Sequence, residues 1–373
     1  MTREQADKNR HEEMGIFRDK RVCVTGHTGF KGAWLCEWLL GLGARVSGFS
    51  LAQASSAPSL FDQLALADRL KDTRGDVRHP SEVSEWVAGE QPDFLFHLAA
   101  QPLVRLSYKV PVTTWETNVM GTIHVMEGLR MLARPCAAVL ITTDKVYENR
   151  EWLHGYREAD PLGGHDPYSS SKAGAEIAIA SWRASFFQNH PVCVASARAG
   201  NVIGGGDWSE DRIVPDLVRA LQAGRPVPVR NKTSTRPWQH VLEPLSGYLL
   251  LAARLAEAGS KHEGPGTRRE VSDLCSAFNF GPHLESNKTV KNLVEEALKH
   301  WPGSWEDRSD PQAPHEAGKL NLVWDKAHHL LGWSPRWGFA ETVEKTMAWY
   351  RAAAQGTDPA ELTRRQIAEY SQT

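Results

Sequence analysis

The chain is poor in cysteine and has no long apolar run. Five cysteines, Cys23, Cys36, Cys136, Cys193 and Cys275, are scattered over 373 residues, and none forms a C-x-x-C pair. That spacing argues against a disulfide framework or a zinc cluster and favours buried free thiols in a cytoplasmic protein. The most apolar stretch, Leu245 to Ala256, is interrupted by Arg254 and is too short to cross a bilayer. Met1 to Glu13 is polar and charged, unlike a secretory leader. An excess of one charge is missing too: 43 Lys and Arg stand against 45 Asp and Glu, for a formal net charge of −2. No nucleic acid held by bulk charge is expected. The 15 histidines show no ligand spacing, and the adjacent His328 and His329 leave a helix on different faces, so no metal site is expected.

What is present is an alternation of β-branched runs and helical patterns. Arg21–Thr25, Arg45–Phe49, Phe94–Leu98, Ala137–Thr142 and Val192–Ala197 read as buried strands. Between them, Gly29–Leu42, Pro80–Gly89, Val112–Leu132 and a segment from Tyr168 read as helices, with Gly43 placed to cap the first. This predicts an α/β fold, a doubly wound parallel sheet with a smaller substrate-binding lobe. The length exceeds the about 250–300 residues at which single cores stop growing, so two lobes around one cleft are expected. The expected division is a flexible tail over 1–16 and a dinucleotide-binding domain over 17–199, completed near 237–258 and 276–282. The substrate lobe takes 200–236 and 283–354, and 355–373 form a C-terminal tail. Within these, Lys288–His300, Phe339–Ala354 and a surface segment Pro359–Tyr370 read as helices, and Glu257–Glu270 as a mobile insertion.

Three strings carry chemistry. Gly26-x-x-Gly29-x-x-Gly32 follows the first strand and opens the first helix. Glycines there allow a tight turn and a close approach to a pyrophosphate at a helix N-terminus. Tyr168 precedes Lys172 by four residues, which puts both on one helix face, and an ammonium beside a phenol favours the phenolate. Thr143-Asp144-Lys145 follows a strand and adds an acid and an amine beyond what alcohol oxidation needs; alone, it reads rather as an Asx turn with a solvated lysine, and the other two strings turn the reading to function. Gly75-Asp76-Val77-Arg78, after a helical stretch, offers a carboxylate for an adenine amine or a solvated loop aspartate. The second strand ends Phe49-Ser50-Leu51-Ala52-Gln53, with neither the acid that grips an NAD ribose nor an arginine for a 2′-phosphate. Gly204-Gly205-Gly206-Asp207-Trp208 is a flexible ligand-facing loop or a linker, and Arg236-Pro237-Trp238 is a phosphate-binding guanidinium or a stacked surface arginine.

These strings, with His97-Leu98-Ala99-Ala100-Gln101-Pro102, Asn118-Val119-Met120-Gly121-Thr122, Arg198-Ala199-Gly200-Asn201-Val202 and Arg236-Pro237-Trp238-Gln239-His240, resemble the extended short-chain dehydrogenase/reductase superfamily. Within it the chain is similar to the CDP-glucose 4,6-dehydratases from about Phe17 to Arg351. The dTDP-glucose dehydratases carry Glu where this chain has Lys145, and epimerases lack the Asp-Lys pair. The resemblance implies NAD held by Gly26, Thr28, Gly29, Phe30, Lys31, Gly32, Asp76, Val77, Leu98, Ala99, Ala100 and Asn118, beside Tyr168 and Lys172. It implies substrate contacts at Gln101, Arg105, Ser107, Asn201, Arg236 and His240, and catalysis by Thr143, Asp144, Lys145, Tyr168 and Lys172. The expected reaction turns CDP-glucose into a 4-keto-6-deoxy sugar and water with no net use of NAD. The expected assembly is a homodimer or a dimer of dimers. The alternatives are a dehydratase or epimerase of another nucleotide hexose, or a non-catalytic NAD(P)-binding sensor.

Overall fold

The β-branched runs assemble into one seven-stranded parallel sheet. The computed structural model describes residues 14–52, 57–260, 273–309 and 319–372. Strand β1 (Arg21–Thr25) leads through helix α1 (Phe30–Gly41) to β2 (Arg45–Ser50) and then to β3 (Lys71–Arg74). Helix α2 (Pro80–Glu90) returns the chain to β4 (Phe94–His97). Helix α3 (Gly121–Arg130) precedes β5 (Cys136–Ile141), and α4 (Pro167–Phe186) precedes β6 (Val192–Ala199). After α5 (Ile213–Gln222) and α6 (Leu242–Ser260), β7 (Ala277–Phe280) completes the order β7-β6-β5-β4-β1-β2-β3. Every residue of β5 and β6 is buried, because helices cover both sheet faces.

Strand β3 overturns one expectation. Its sequence, Lys-Asp-Thr-Arg, has no apolar residue, yet it pairs in parallel with Ser47–Ser50. An edge strand has solvent on one side and needs no apolar pattern. Gly75-Asp76-Val77 therefore follow a strand, not a helical stretch.

One apolar core runs from Phe17 and Trp34 through Leu249 to Trp349 and Tyr370, so the segments after residue 200 pack onto the dinucleotide half. A second core, from Cys23 to Val194, lies under α2, α3 and α4 on the opposite sheet face. Among the described residues, three two-stranded ribbons carry the loop-rich part: 202–203 with 239–240, 235–237 with 287–289, and 227–229 with 305–307. Helix α7 (Val290–His300) and helix α8 (Phe339–Ala354) follow the expected spacing. Of the expected tail, residues 1–13 lie outside the described residues, while Phe17 is already buried, its ring 4.6 Å from Phe94. The expected insertion begins as the end of α6, and its residues 261–270 lie outside the described residues. No helix among the described residues is long and apolar enough to cross a membrane.

The helix expected within the C-terminal tail is α9 (Pro359–Gln372), and it is docked. Tyr370 packs edge-on to Trp38 at 5.9 Å, and Arg364 Nε donates to the buried Glu37 at 2.7 Å. This second cover explains why α1 is buried on nearly every side. The Tyr370 hydroxyl donates to Glu243 Oε2 at 2.7 Å, and the backbone N–H groups of Arg336 and Trp337 donate to the same carboxyl.

Burial raises the Glu243 carboxyl from 4.5 to about 7 despite these donors. The folded protein therefore keeps a proton that the unfolded chain releases. Stability from this group is complete below its ordinary value and is lost as pH rises towards about 7. Glu243→Gln is expected to flatten the fall of the thermal midpoint across that window. A fall as steep as that of the wild type would contradict the assignment.

Candidate active site

The cleft opens where β1 and β4 part company, the sheet's topological switch point. Gly26 has φ +72°, and a Cβ there would lie 2.7 Å from Ala99 N. A Cβ on Gly32 would lie 2.2 Å from the Gly26 carbonyl oxygen. Side chains at either place would push the β1–α1 turn off β4 or off its own helix. The N-cap of α1 is Gly29, which supplies no side-chain cap. The first-turn N–H groups are thus available to an anion, and the turn fits a dinucleotide pyrophosphate. Thr28 Oγ1 and Ser50 Oγ share a hydrogen bond of 2.8 Å at the end of β2. An arginine does stand beside that segment: Arg74 donates to the Leu51 carbonyl, but it is paired to Asp72 at 2.7 Å. Asp76 accepts from Arg78 N and from its guanidinium, and the Val77 carbonyl accepts from His124. Leu98, Ala99 and Ala100 line the exit of β4, half-buried.

A buried polar chain locks that exit. Ala99 N donates to Thr25 Oγ1 at 3.2 Å, and Thr25 pairs with His97 Nδ1 at 2.7 Å. His97 Nε2 meets Thr122 Oγ1 at 3.1 Å, and Thr122 donates its one proton to the Asn118 carbonyl. Thr122 can then only accept, so His97 carries its proton on Nε2 and Thr25 donates to Nδ1. Burial, with the Lys172 charge, pushes the imidazole down to about 3 and keeps it neutral. Asn118 lies in a π-helical turn, Glu116–Met120. Its Oδ1 accepts from Gln101 N, and its Nδ2 donates to the Gln101 carbonyl and to Ser171 on α4.

At the end of β5, Thr143, Asp144 and Lys145 turn into the cleft opposite α4. Thr143 Oγ1 lies 3.0 Å from Asp144 Oδ1 and also bonds the Tyr168 phenol. Burial raises the Asp144 carboxyl, opposed by Lys145, Thr143, Arg236 and Lys31. Its Oδ2 is buried and has no hydrogen-bond partner among the described residues. Gly200 makes room for it: a Cβ there would lie 3.0 Å from that oxygen. Lys172 Nζ donates to the Ile141 carbonyl at 3.1 Å, and burial lowers it to about 8 against the pull of Glu176.

Several expected roles shift. Burial raises the Tyr168 phenol to about 12, the reverse of the direction that the spacing to Lys172 suggests. The cation that pulls it down is Arg212, which is paired to Asp207 at 2.9 Å. Lys31, expected at the cofactor, reaches the chemical end of the cleft. It donates to Tyr248 OH at 3.3 Å, and burial with the charges of Arg212 and Lys172 lowers it to about 7. Gln101 folds back onto Leu103 and Thr114, and Ser107 Oγ accepts from Tyr168 N at 3.2 Å, so both brace the cleft wall. His240 does not face the cleft. It is fully buried between Trp34 and Trp337, with Nδ1 accepting from Leu242 N. Arg236 is buried on the 235–237 ribbon, with Nη1 donating to the Thr235 carbonyl. Arg105 lies at the mouth, 3.7 Å from Asp211, and Asn201 lies just beyond β6. The 204–206 loop is pinned, since Trp34 Nε1 donates to the Gly205 carbonyl at 2.9 Å. Sequence reasoning missed Arg212, which belongs to no motif. It also missed Glu176, although Glu176 follows Lys172 by one more helical step of four. Among the described residues, no group of His, Cys, Asp and Glu could hold a metal ion.

A family profile described as GDP-mannose 4,6 dehydratase matches residues 23–346. A CDP-glucose 4,6-dehydratase of Salmonella typhimurium is 45% identical over 365 residues, covering 96% of this chain and 98% of that protein. A dTDP-D-glucose 4,6-dehydratase of Bos taurus is 26% identical over 342 residues, covering 89% of each. Among solved structures, a dTDP-glucose 4,6-dehydratase of Streptomyces venezuelae with NAD bound superposes with a TM-score of 0.74 at 23% identity, covering 91% of this chain and 99% of that one. An epimerase of Methanothermobacter thermautotrophicus gives 0.75 at 22% identity, covering 95% and 97%. The structural likeness shows the fold.

Gly26→Ala brings a Cβ into a positive-φ position and against β4. It is expected to weaken NAD binding by about 5- to 150-fold in calorimetric titration, since one backbone strain of this kind costs about 1–3 kcal/mol. Unchanged affinity in a folded variant would contradict the cradle.

Proposed function

The chain belongs to the GDP-mannose 4,6 dehydratase family, and on that premise we propose that it converts CDP-glucose to CDP-4-keto-6-deoxyglucose and water, with NAD as cofactor. The observation that carries this reading is the convergence of Thr143, Asp144, Tyr168 and Lys172 in one buried cleft beside the glycine turn. The choice of CDP-glucose rests on the 45% identical relative.

NAD, held by the Gly26–Gly32 turn, would supply the hydride acceptor for sugar C4 and the hydride donor for C6. The chain's own groups move the protons. Tyr168 receives the O4 proton, with Thr143 orienting the hydroxyl. The Arg212 charge and the Thr143 hydrogen bond favour the phenolate against burial. Oxidation at C4 acidifies C5–H, which Lys145 removes. Asp144, its carboxyl raised by burial, gives a proton to the leaving 6-hydroxyl, so water departs. A proton returned to C5 closes the cycle. Arg236 and Arg105 supply cations for the substrate pyrophosphate.

Incubation with a panel of nucleotide hexoses should give a 4-keto chromophore with CDP-glucose above all others. Tyr168→Phe should lower turnover by about 10²–10⁴-fold while NAD still binds. Lys145→Ala should oxidise the sugar and stall, with reduced cofactor visible and no solvent deuterium at C5. A Lys145→Ala protein that eliminates water at the wild-type rate would move the base elsewhere.

The protein is further read as a cytoplasmic homodimer. Five unpaired cysteines support the compartment. The dimer is supported by an apolar groove lined by Pro111, Val112, Trp115, Glu116, Val119 and Met120. Val112 is 69% exposed, and Ile177 on the neighbouring α4 is 60% exposed. Val112→Asp with Ile177→Asp should halve the mass seen in sedimentation; an unchanged mass would refute this interface.

A further inference from the structure

Helix α4 carries Tyr168, Lys172 and Glu176 at intervals of four, on one face. In the proposed reaction Tyr168 takes the O4 proton, and the Lys172 ammonium is its partner in the redox pair. Glu176 is buried as deeply as Lys172 and is saturated with donors. Thr142 Oγ1 donates to its Oε1 at 2.5 Å. Ser196 Oγ and Arg198 Nη2 donate to its Oε2 at 2.8 and 2.9 Å. Burial alone would raise this carboxyl, but Arg198 and the hydroxyl donors outweigh it and hold it low, so it stays ionised. Arg198, equally buried, also donates through Nη1 to the Tyr147 hydroxyl at 2.8 Å. Tyr147 passes its own proton to Asn279 Oδ1 on β7 at 2.6 Å.

The consequence lies in the order of these contacts along the chain. Lys172 grips the Ile141 carbonyl, Glu176 grips the next residue, Thr142, and Arg198 grips Tyr147. Thr143, Asp144 and Lys145 are the residues bracketed between. We propose that Glu176, held by Arg198, is a positioning residue that fixes the elimination pair Asp144–Lys145 against the redox pair Tyr168–Lys172. The inference rests on the dehydratase reading and extends it to a buried pair, Glu176 and Arg198, to which that reading gives no step.

A purely structural ion pair would affect folding alone; this one should also partition the reaction. Without Glu176, oxidation can still begin, but the acid and the amine are misplaced for the next step. A displacement of about 1 Å is worth about 10² in rate. The groups facing Lys172 are Glu176 on its own helix, Lys31 from α1 and the neutral His97 from β4. Glu176 is the one that favours the ammonium, so its loss should move the alkaline limb of kcat to lower pH.

The test compares wild type with three variants: Glu176→Gln, the double variant Glu176→Met with Arg198→Met, and Glu243→Gln as a change at a buried carboxyl group elsewhere. The double variant guards against misfolding, because apolar replacement of both partners of a buried pair is tolerated where removal of one is not. Thermal midpoint, kcat and KM for CDP-glucose, the pH profile of kcat and the absorbance of reduced nicotinamide are measured. Glu176→Gln and the double variant should lose about 10²-fold in kcat with KM little changed. They should accumulate reduced cofactor and shift the alkaline limb down, while Glu243→Gln does none of these. Wild-type kcat, wild-type pH profile and no reduced cofactor in the double variant would overturn the inference. So would activity losses that merely track the fraction unfolded. A wild-type protein that forms no 4-keto sugar from any nucleotide hexose refutes the dehydratase reading instead, a separate outcome.

Discussion

The cleft depends on one close approach, the glycine turn after β1 seated against the backbone that leaves β4. Gly26 lies so near Ala99 that a methyl group would not fit between them. That contact brings the uncapped N-terminus of α1 over the switch point, and the Thr25–His97–Thr122–Asn118 chain holds both sides of it. Because each hydroxyl in that chain has one proton to give, only one arrangement satisfies every group. The wall of the cleft is therefore rigid before any ligand arrives. Asn118 carries the order onward to Ser171 on α4, and so to the helix that bears Tyr168 and Lys172.

Burial does the electrostatic preparation. Two lysines are brought to about 7 and about 8, and an aspartate is raised, within one desolvated space. The two lysines thus lie nearer neutrality than solvated lysines, and the aspartate is moved towards its protonated form. Tyr168 is the exception, because burial pushes it away from the phenolate and Arg212 with Thr143 pulls it back. The site sets a base with opposing forces on it beside an acid that burial favours in its protonated form.

Much of the sheet was legible in the sequence, because strands buried on both faces must be continuously apolar. Strands β1, β4, β5 and β6 announce themselves for that reason, while β2, Arg-Val-Ser-Gly-Phe-Ser, shows itself only through Val46 and Phe49. Lys71–Arg74 does not, since an edge strand answers to backbone pairing and not to a core. Helix α9 reads as a surface helix because its composition is polar. Its docking depends on Tyr370 and Arg364 finding Glu243 and Glu37, partners far away in the chain. In the cleft, the four-residue step from Tyr168 to Lys172 is a local pattern and was readable. The reach of Lys31 to the chemical end, the turn of Arg212 towards the phenol and the withdrawal of His240 into the core are tertiary facts. No spacing encodes them.

The central claim is that one cleft both oxidises and reduces the same sugar. CDP-glucose carrying deuterium at C4 tests it directly. The account predicts that the label reappears at C6 of the product within the same molecule, with none transferred to unlabelled sugar present in the mixture. Label retained at C4, lost to solvent or left on released cofactor would contradict a closed cycle.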